Sequence, residues 1–513
     1  MARFFIFALV LMPWLNPFSP GPTPAVVPFV FSWFCFALML LVSTLADVSR
    51  DTVFRSAALA WLVAACLSAL IGLLQYVGAT AWAGVWIDHT GLGEAYGNLR
   101  QRNQFATLMN IGLATSLWLA SDSAQAKPTD IPVNPPRLSA QYLLLVCAIL
   151  LGVGNAASSS RTGLIQLGML LALTVLWHFG TTPKGRRIAA MALTWQIVLA
   201  ALGAYAIASF ILPWLIGLDP LSSGAFARLR TGDPLCASRA TLWSNVLHLI
   251  ALKPWTGWGW GELDYAHFIT LYPGPRFCDI LDNAHNLPLH IAVEFGLPAA
   301  LTFCGGVIWL IWWSRPQREL DASRRIAWGV LAVIGLHSLL EYPLWYGPFQ
   351  TATLLSLSQL YRRAPHAGTE FQSADLHRYR RILMSAAGFS VIAACAFAAW
   401  QYQLASQIYL PPSERMVAYK EDTLQKISQV TLYQDQVRFA DLTTTDLDPE
   451  NAQTVHDLAL DMLHFSPESR VVELVIESAS LLGREDEVGY YSLRYQAAFP
   501  ESYAKWLAAR AKP

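Results

Sequence analysis

Charge is scarce in this sequence. Only 14% of its 513 residues are Asp, Glu, Lys or Arg, against about a quarter in soluble domains. That shortage excludes a soluble enzyme, and a content of 54% hydrophobic residues excludes a disordered chain. Seven cysteines are too few for a secreted disulfide scaffold. Net charge is zero, which argues against a nucleic-acid partner. There is no Cys-x-x-Cys, no His-Glu-x-x-His and no glycine-rich phosphate loop.

What the sequence does have is long apolar runs. A spanning helix needs about 20 mostly apolar residues. Eleven stretches qualify: 4–18, 24–45, 55–79, 104–120, 140–157, 163–179, 189–217, 289–313, 326–342, 348–361 and 382–405. The expected fold is therefore all-α and polytopic, with about eleven transmembrane helices. The first run follows Arg3 but lacks a small-x-small cleavage site, so it reads as a helix. Lys and Arg orient such a bundle. With the N-terminus inside, 17 basic residues fall inside and 8 outside. That places the long loop 218–288 and the tail outside.

The chain divides by composition into a membrane part, 1–405, and a small soluble helical tail, 406–513. The tail carries 10 Lys and Arg against 17 Asp and Glu. Pro-Glu pairs at Pro449, Pro467 and Pro500 suit helix starts. Residues 468–482 and 485–497, joined through Gly483, read as a helix pair. The last two Pro-Glu pairs lie 33 residues apart, near the tetratricopeptide period of about 34; a generic helical hairpin fits equally well. Cys236 and Cys278 both fall in the outer loop, where an oxidising compartment lets them pair.

The outward polar groups carry the chemistry. Seven of the eight outer basic residues are arginines, namely Arg100, Arg102, Arg161, Arg228, Arg230, Arg239 and Arg276, alongside Lys253. Arginine's planar fork grips phosphate oxygens bidentately. The bland alternative is pairing with nearby carboxylates or snorkelling to headgroups. His285, in Asp282-Asn-Ala-His285-Asn286, sits just above a membrane helix, with Asn286 placed as its N-cap. Histidine suits a general base near neutral pH. His290 and Glu294 share one helical face, two turns into the same apolar run, and read as a satisfied pair. His337, Glu341, Tyr342 and Tyr346 cluster at an outer helix end. The run Trp255-Thr-Gly-Trp-Gly-Trp-Gly261 offers flat faces for either a sugar or a membrane surface.

Five segments in this order carry a family resemblance: Gly97-Asn-Leu-Arg-Gln101-Arg102-Asn103, Ser160-Arg161-Thr-Gly163, Arg239-Ala-Thr-Leu-Trp243, Asp282-Asn-Ala-His285-Asn286, and His337-Ser-Leu-Leu-Glu341-Tyr342-Pro343. Together they resemble the bacterial protein O-oligosaccharyltransferases, the PglL-like glycosylation ligases, in the superfamily of O-antigen ligases and polymerases. In many relatives a His or Tyr follows Gln-Arg-Asn; here it is Gln104. The resemblance implies transfer of a preassembled glycan from an undecaprenyl-pyrophosphate carrier to a Ser or Thr hydroxyl of a pilin-like periplasmic protein. It implies a multi-pass protein of the bacterial inner membrane, with the active site and tail periplasmic, and no metal, cofactor or nucleotide. In that scheme His285 is the base. Arg161, Arg239 and Arg102 bind the donor pyrophosphate. Gln101, Asn103, Glu341, Tyr342 and Asn286 position sugar or acceptor. Ligation to lipid A core and glycan polymerisation remain open within the superfamily. A lipid or polysaccharide transporter is the alternative of another class.

Overall fold

The computed structural model describes residues 1–123, 137–179, 186–224, 234–361 and 373–510. Among the described residues every regular element is a helix. In chain order these are α1 (Ala2–Leu15), α2 (Val26–Leu45), α3 (Arg50–Tyr76), α4 (Arg102–Ser123), α5 (Arg137–Ala157), α6 (Arg161–Phe179) and α7 (Arg186–Leu215). Next come α8 (Arg239–Leu252), α9 (Leu263–Ile269), α10 (Leu287–Phe295), α11 (Leu297–Ser314), α12 (Ala322–Ser338), α13 (Gly347–Leu360) and α14 (Ser373–Ala405). The tail supplies α15 (Thr423–Ile427), α16 (Gln434–Thr444), α17 (Ala452–Met462), α18 (Ser469–Leu481), α19 (Glu485–Ala498) and α20 (Pro500–Arg510).

Six of these helices are long and apolar enough to cross a membrane: Val26–Leu45, Arg50–Tyr76, Ala140–Ala157, Leu193–Leu215, Leu297–Arg318 and Arg378–Tyr409. The other candidate runs are helical but fall short for identifiable reasons. α1 and α13 have 14 residues each and α12 has 17. α4 buries Gln104, Thr107, Asn110, Thr115 and Ser116, and α6 carries Arg161, Gln166 and His178. The run expected as one helix over 289–313 is two. α10 ends at Phe295 and α11 begins at Leu297, with Gly296 between them at φ +86°. A Cβ at Gly296 would lie 2.3 Å from the Trp255 carbonyl oxygen, so only glycine admits this approach of two backbones.

The chain folds as two compact units, 1–231 with 311–396 and 232–310 with 397–513. The first is a helical bundle around α3 and α4. Small residues on α3, among them Ala57, Ala60, Ala64 and Ala65, are fully buried. They let neighbouring helices approach as packing without a hydrophobic driving force requires.

The second unit joins the loop after α7 to the tail, and its cores explain the join. Leu242, Val246, Leu249, Leu263, Leu281 and Val293 form a core within the loop segment. Phe268 of α9 lies instead in the core of the tail, with Leu442, Val455, Met462, Val472 and Tyr495. His464 Nδ1 lies 2.6 Å from Glu262 Oε2, and its ring stacks on Tyr265 at 3.7 Å. Arg494 Nε donates to the Ile269 carbonyl at 2.8 Å. Loop and tail thus share one folded body. The expected hairpin is present as α18 and α19, turning at Gly483 with φ +70°. Pro500 opens α20 with Glu501 in its first turn.

Candidate functional site

In the first unit, three segments far apart in sequence meet at one end of the bundle. Their approach is prepared upstream. Gln75, buried near the end of α3, accepts from the Tyr96 and Gly97 amides and donates to the Asp88 and Gly97 carbonyls. Asn98 ties the same loop to Leu15 and Trp86. The chain then enters α4 with Gln101 and Asn103 facing Glu341. Asn103 Nδ2 donates to Glu341 Oε1 at 3.1 Å, and Gln101 Nε2 reaches Oε2 at 3.4 Å. Asn103 Oδ1 accepts from Ser160 Oγ at 2.6 Å. Glu341 is buried, so these donors replace the water its carboxylate has lost. Tyr342 beside it packs near-parallel to Tyr346, with ring centroids 6.0 Å apart.

Ser160 also fixes Arg161. The turn before α6 holds Ser159 at φ 51°, and Ser158 Oγ accepts from the Ser160 amide. Ser160 Oγ then accepts from the Gly163 amide at 3.0 Å, as a helix N-cap does. Arg161 is therefore the first residue of α6, exposed, at a helix end whose dipole favours anions. Arg102 is placed differently. Its guanidinium donates to Glu94 at 3.2 Å and to the Tyr96 hydroxyl at 2.9 Å. A phosphate there would share the guanidinium with a carboxylate. Arg100 is paired with Asp88 at 2.7 Å.

In the second unit the same local device recurs. Ser238 caps α8 by accepting from the Thr241 amide, and Arg239 is the first helical residue. Cys236 and Cys278 form a disulfide, with Cα atoms 5.2 Å apart, which ties the approach to Arg239 to the loop before His285. Trp243, one turn after Arg239, donates its indole N–H to the Ala284 carbonyl at 3.1 Å. The Arg-x-x-x-Trp motif thus holds the His285 segment directly.

His285 itself has φ 49°, a left-handed conformation that is costly for a non-glycine residue. Its amide donates to Asn283 Oδ1 at 2.7 Å. Asn286 is the N-cap of α10, accepting from the Leu289 amide at 3.1 Å. The side chain of His285 is half-buried. Partial desolvation raises the Asp282 carboxyl, and His285 nearby pulls it back down.

Glu294 does not lie two turns into a spanning helix, because α10 ends one residue later. It accepts from the Gly261 amide at 2.9 Å and sits 3.6 Å from His290 Nε2. The Trp-Gly run straps this end of α10. Trp258 and Gly259 amides donate to the Val293 and Glu294 carbonyls, and the Leu297 amide donates to the Pro254 carbonyl. Trp258 turns inward, its indole bonded to Leu249 O and its ring under Lys253 at 4.1 Å. Trp255 and Trp260 are exposed.

Three further groups in this unit are buried or half-buried. His267 Nε2 lies 3.2 Å from the Phe277 carbonyl and Nδ1 lies 2.8 Å from the Tyr272 hydroxyl. Burial, aided by Arg276, pushes its pKa down to about 3, so it stays neutral. Arg276 donates to the Thr270 and His267 carbonyls. Asp264 is buried and is pushed up to about 7, by desolvation first and by the charges of Asp282 and Glu262. Sequence reasoning passed over Thr107 and Gln166. The available signal was a polar side chain inside an apolar helical face. Arg228 and Arg230 lie outside the described residues.

Residues 146–304 match the family described as O-antigen ligase, and residues 95–120 match the protein glycosylation ligases. Residues 326–512 match the C-terminal part of virulence factor membrane-bound polymerases. In successive segments the chain is thus similar to protein glycosylation ligases, O-antigen ligases and membrane-bound polymerases. A general O-oligosaccharyltransferase of Acinetobacter baylyi is 24% identical over 311 residues, 59% of this chain and 50% of that protein. A ComP-specific O-oligosaccharyltransferase of the same organism is 24% identical over 261 residues, 50% of this chain and 42% of that protein. The chain thus spans about half the length, or less, of these two relatives. The glycosylation-ligase match contains Gln101 and Asn103, and the O-antigen ligase match contains Arg161, Arg239 and His285.

Proposed function

We propose that this protein transfers a preassembled oligosaccharide from a polyprenyl-pyrophosphate carrier to a Ser or Thr hydroxyl of a protein. One observation carries the reading most: in each unit an arginine follows a serine N-cap, Ser160-Arg161 and Ser238-Arg239. A guanidinium at a helix N-terminus suits phosphate oxygens twice over, by bidentate donors and by the helix dipole. The donor already carries its leaving group. The acceptor oxygen attacks the anomeric carbon, the bond from that carbon to pyrophosphate oxygen breaks, and the electron pair leaves with the polyprenyl pyrophosphate. His285 takes the hydroxyl proton. Arg161 and Arg239 stabilise the departing charge. Asn103, Gln101, Glu341 and Tyr342 hold sugar or acceptor, and Asn286 fixes the His285 backbone. Arg102 orders this region through Glu94 and Tyr96 and shares its guanidinium between Glu94 and the donor pyrophosphate.

The membrane setting is read with eleven spans in a bacterial inner membrane, and with the loop and tail on the periplasmic side. The short and polar helices α1, α4, α6, α12 and α13 count as spans in this reading. Support comes from their polar side chains, such as Gln104, Asn110, Gln166 and His337, which are buried in the bundle rather than turned to lipid.

A second acceptor, the end of a growing glycan, is favoured by the polymerase match over residues 326–512, which includes Glu341, Tyr342 and the tail. One assay separates the two. Purified protein, a polyprenyl-pyrophosphate glycan and a chelator are combined with either a Ser-containing pilin or a free glycan. Transfer to the pilin alone supports the protein-acceptor reading. Transfer to glycan alone replaces it with polymerisation.

A further inference from the structure

Beneath Asn103 the bundle holds a buried hydrogen-bond network whose protons can be assigned. Thr107 Oγ1 lies 2.7 Å from the Asn103 carbonyl, 2.9 Å from Gln166 Nε2 and 2.9 Å from His337 Nδ1. A carbonyl oxygen only accepts, and of the two that the hydroxyl reaches the Asn103 carbonyl at 2.7 Å is nearer than Gln166 Oε1 at 3.3 Å, so the single hydroxyl proton goes to Asn103. Both lone pairs of the hydroxyl are then left to receive. Gln166 Nε2 fills one, and its second proton meets the Val333 carbonyl at 2.9 Å. The amide orientation follows from that contact: flipped, Gln166 would set its oxygen against a carbonyl. Gln166 Oε1 in turn accepts from Asn110 Nδ2 at 3.1 Å. The remaining lone pair of Thr107 faces His337, whose Nδ1 must therefore carry a proton.

His337 is fully buried. Through Thr107 it acts on Asn103, whose side chain joins Glu341 to Ser160, the cap of the Arg161 helix. α4, α6 and α12 are thereby locked in register where Gln101, Asn103, Arg161 and Glu341 gather. We infer that His337 is a positioning residue, held with a proton on Nδ1, which fixes Asn103 between Glu341 and Ser160. The catalytic weight of this role rests on the proposed transfer activity; the position of the proton does not.

Two measurements test it. Nitrogen-15 NMR of histidine-labelled full-length protein in lipid is compared with the His337→Asn variant. The resonances that disappear are expected to report a protonated Nδ1. A bare Nδ1 at that position, as in the Nε2–H tautomer, overturns the inference. The second measurement is kinetic. The Asn amide overlays the δ nitrogen of histidine, whereas the Gln amide overlays the ε nitrogen. His337→Asn is expected to keep kcat within about threefold of wild type. His337→Gln and the nearly isosteric Thr107→Val are expected to lower kcat about tenfold or more, with donor KM and protein level little changed. Equal kcat in the Asn and Gln variants, or wild-type kcat in Thr107→Val, overturns the positioning role. A wild type that transfers nothing would sink the proposed function, and the NMR result would then decide the inference alone.

Discussion

An acceptor alcohol gives up its proton to His285 in the proposed reaction, so the effect of losing that residue is bounded by general-base catalysis. His285→Ala is expected to lower the transfer rate by about 100–10,000-fold with protein level unchanged. His290, buried and 3.6 Å from Glu294, is expected to behave otherwise. His290→Ala should lower protein level more than specific activity, as quantified on purified enzyme. Arginine chemistry gives the next expectation. Arg161→Ala and Arg239→Ala should each cost about 100–1000-fold in rate, the scale of losing one donor to a developing anion. Lys should rescue either poorly, because a point charge lacks the fork. Near-normal rates in both Lys variants would mean that these arginines only anchor the protein. Asp264 gives a pH signature. Its carboxyl stands at about 7 instead of 3.8, so between those values the folded state keeps a proton that the unfolded chain has released. Stability from this group is full below about pH 4 and is lost as pH rises through about 7. Asp264→Asn should therefore gain on wild type across that window, by several kcal/mol at most, in denaturant titrations at stepped pH. A constant difference would contradict the shift.

At the scale of elements, the sequence announced helix starts better than helix lengths. Asn286 before Leu287 is a polar cap followed by proline, and the structure uses it so. The break between α10 and α11 was not legible. Gly296 lies in an unbroken apolar run, and only the backbone of Trp255, 41 residues earlier, makes glycine necessary there. The buried network of α4 was hidden for a related reason. Thr107 and Gln166 look like ordinary interruptions of apolar helices until α12 brings His337 to them. The disulfide was legible as a possibility of compartment and becomes a contact through the fold of the loop. It closes a separation of 42 residues, and such loops contribute about 2–4 kcal/mol. Cys236→Ser is expected to lower the stability of the loop-and-tail unit by that amount in chemical denaturation. No loss would mean that the core around Leu242 and Leu281 holds the loop by itself.

At the scale of the molecule, composition announced a membrane part and a soluble tail, and the helical character followed from periodicity. What composition could not announce is that the loop after α7 and the tail form one folded unit, because that rests on Phe268 packing in the core of the tail and on His464 meeting Glu262, 202 residues earlier. Their packing means that loop and tail lie on the same side of any membrane the chain spans. Phosphatase and β-galactosidase fusions in the loop and at the tail should therefore agree with each other. Opposite reports would contradict the shared core, and galactosidase activity at both would reverse the proposed orientation. The roles of the motif residues depend on one reaction, so the most direct measurement is transfer itself. Purified wild type and His285→Ala are incubated with a polyprenyl-pyrophosphate glycan, a Ser-containing pilin and a chelator, and the pilin is weighed by mass spectrometry. The account expects glycan on the serine with wild type and essentially none with His285→Ala. Unmodified pilin with wild type, or equal modification by both proteins, would contradict it.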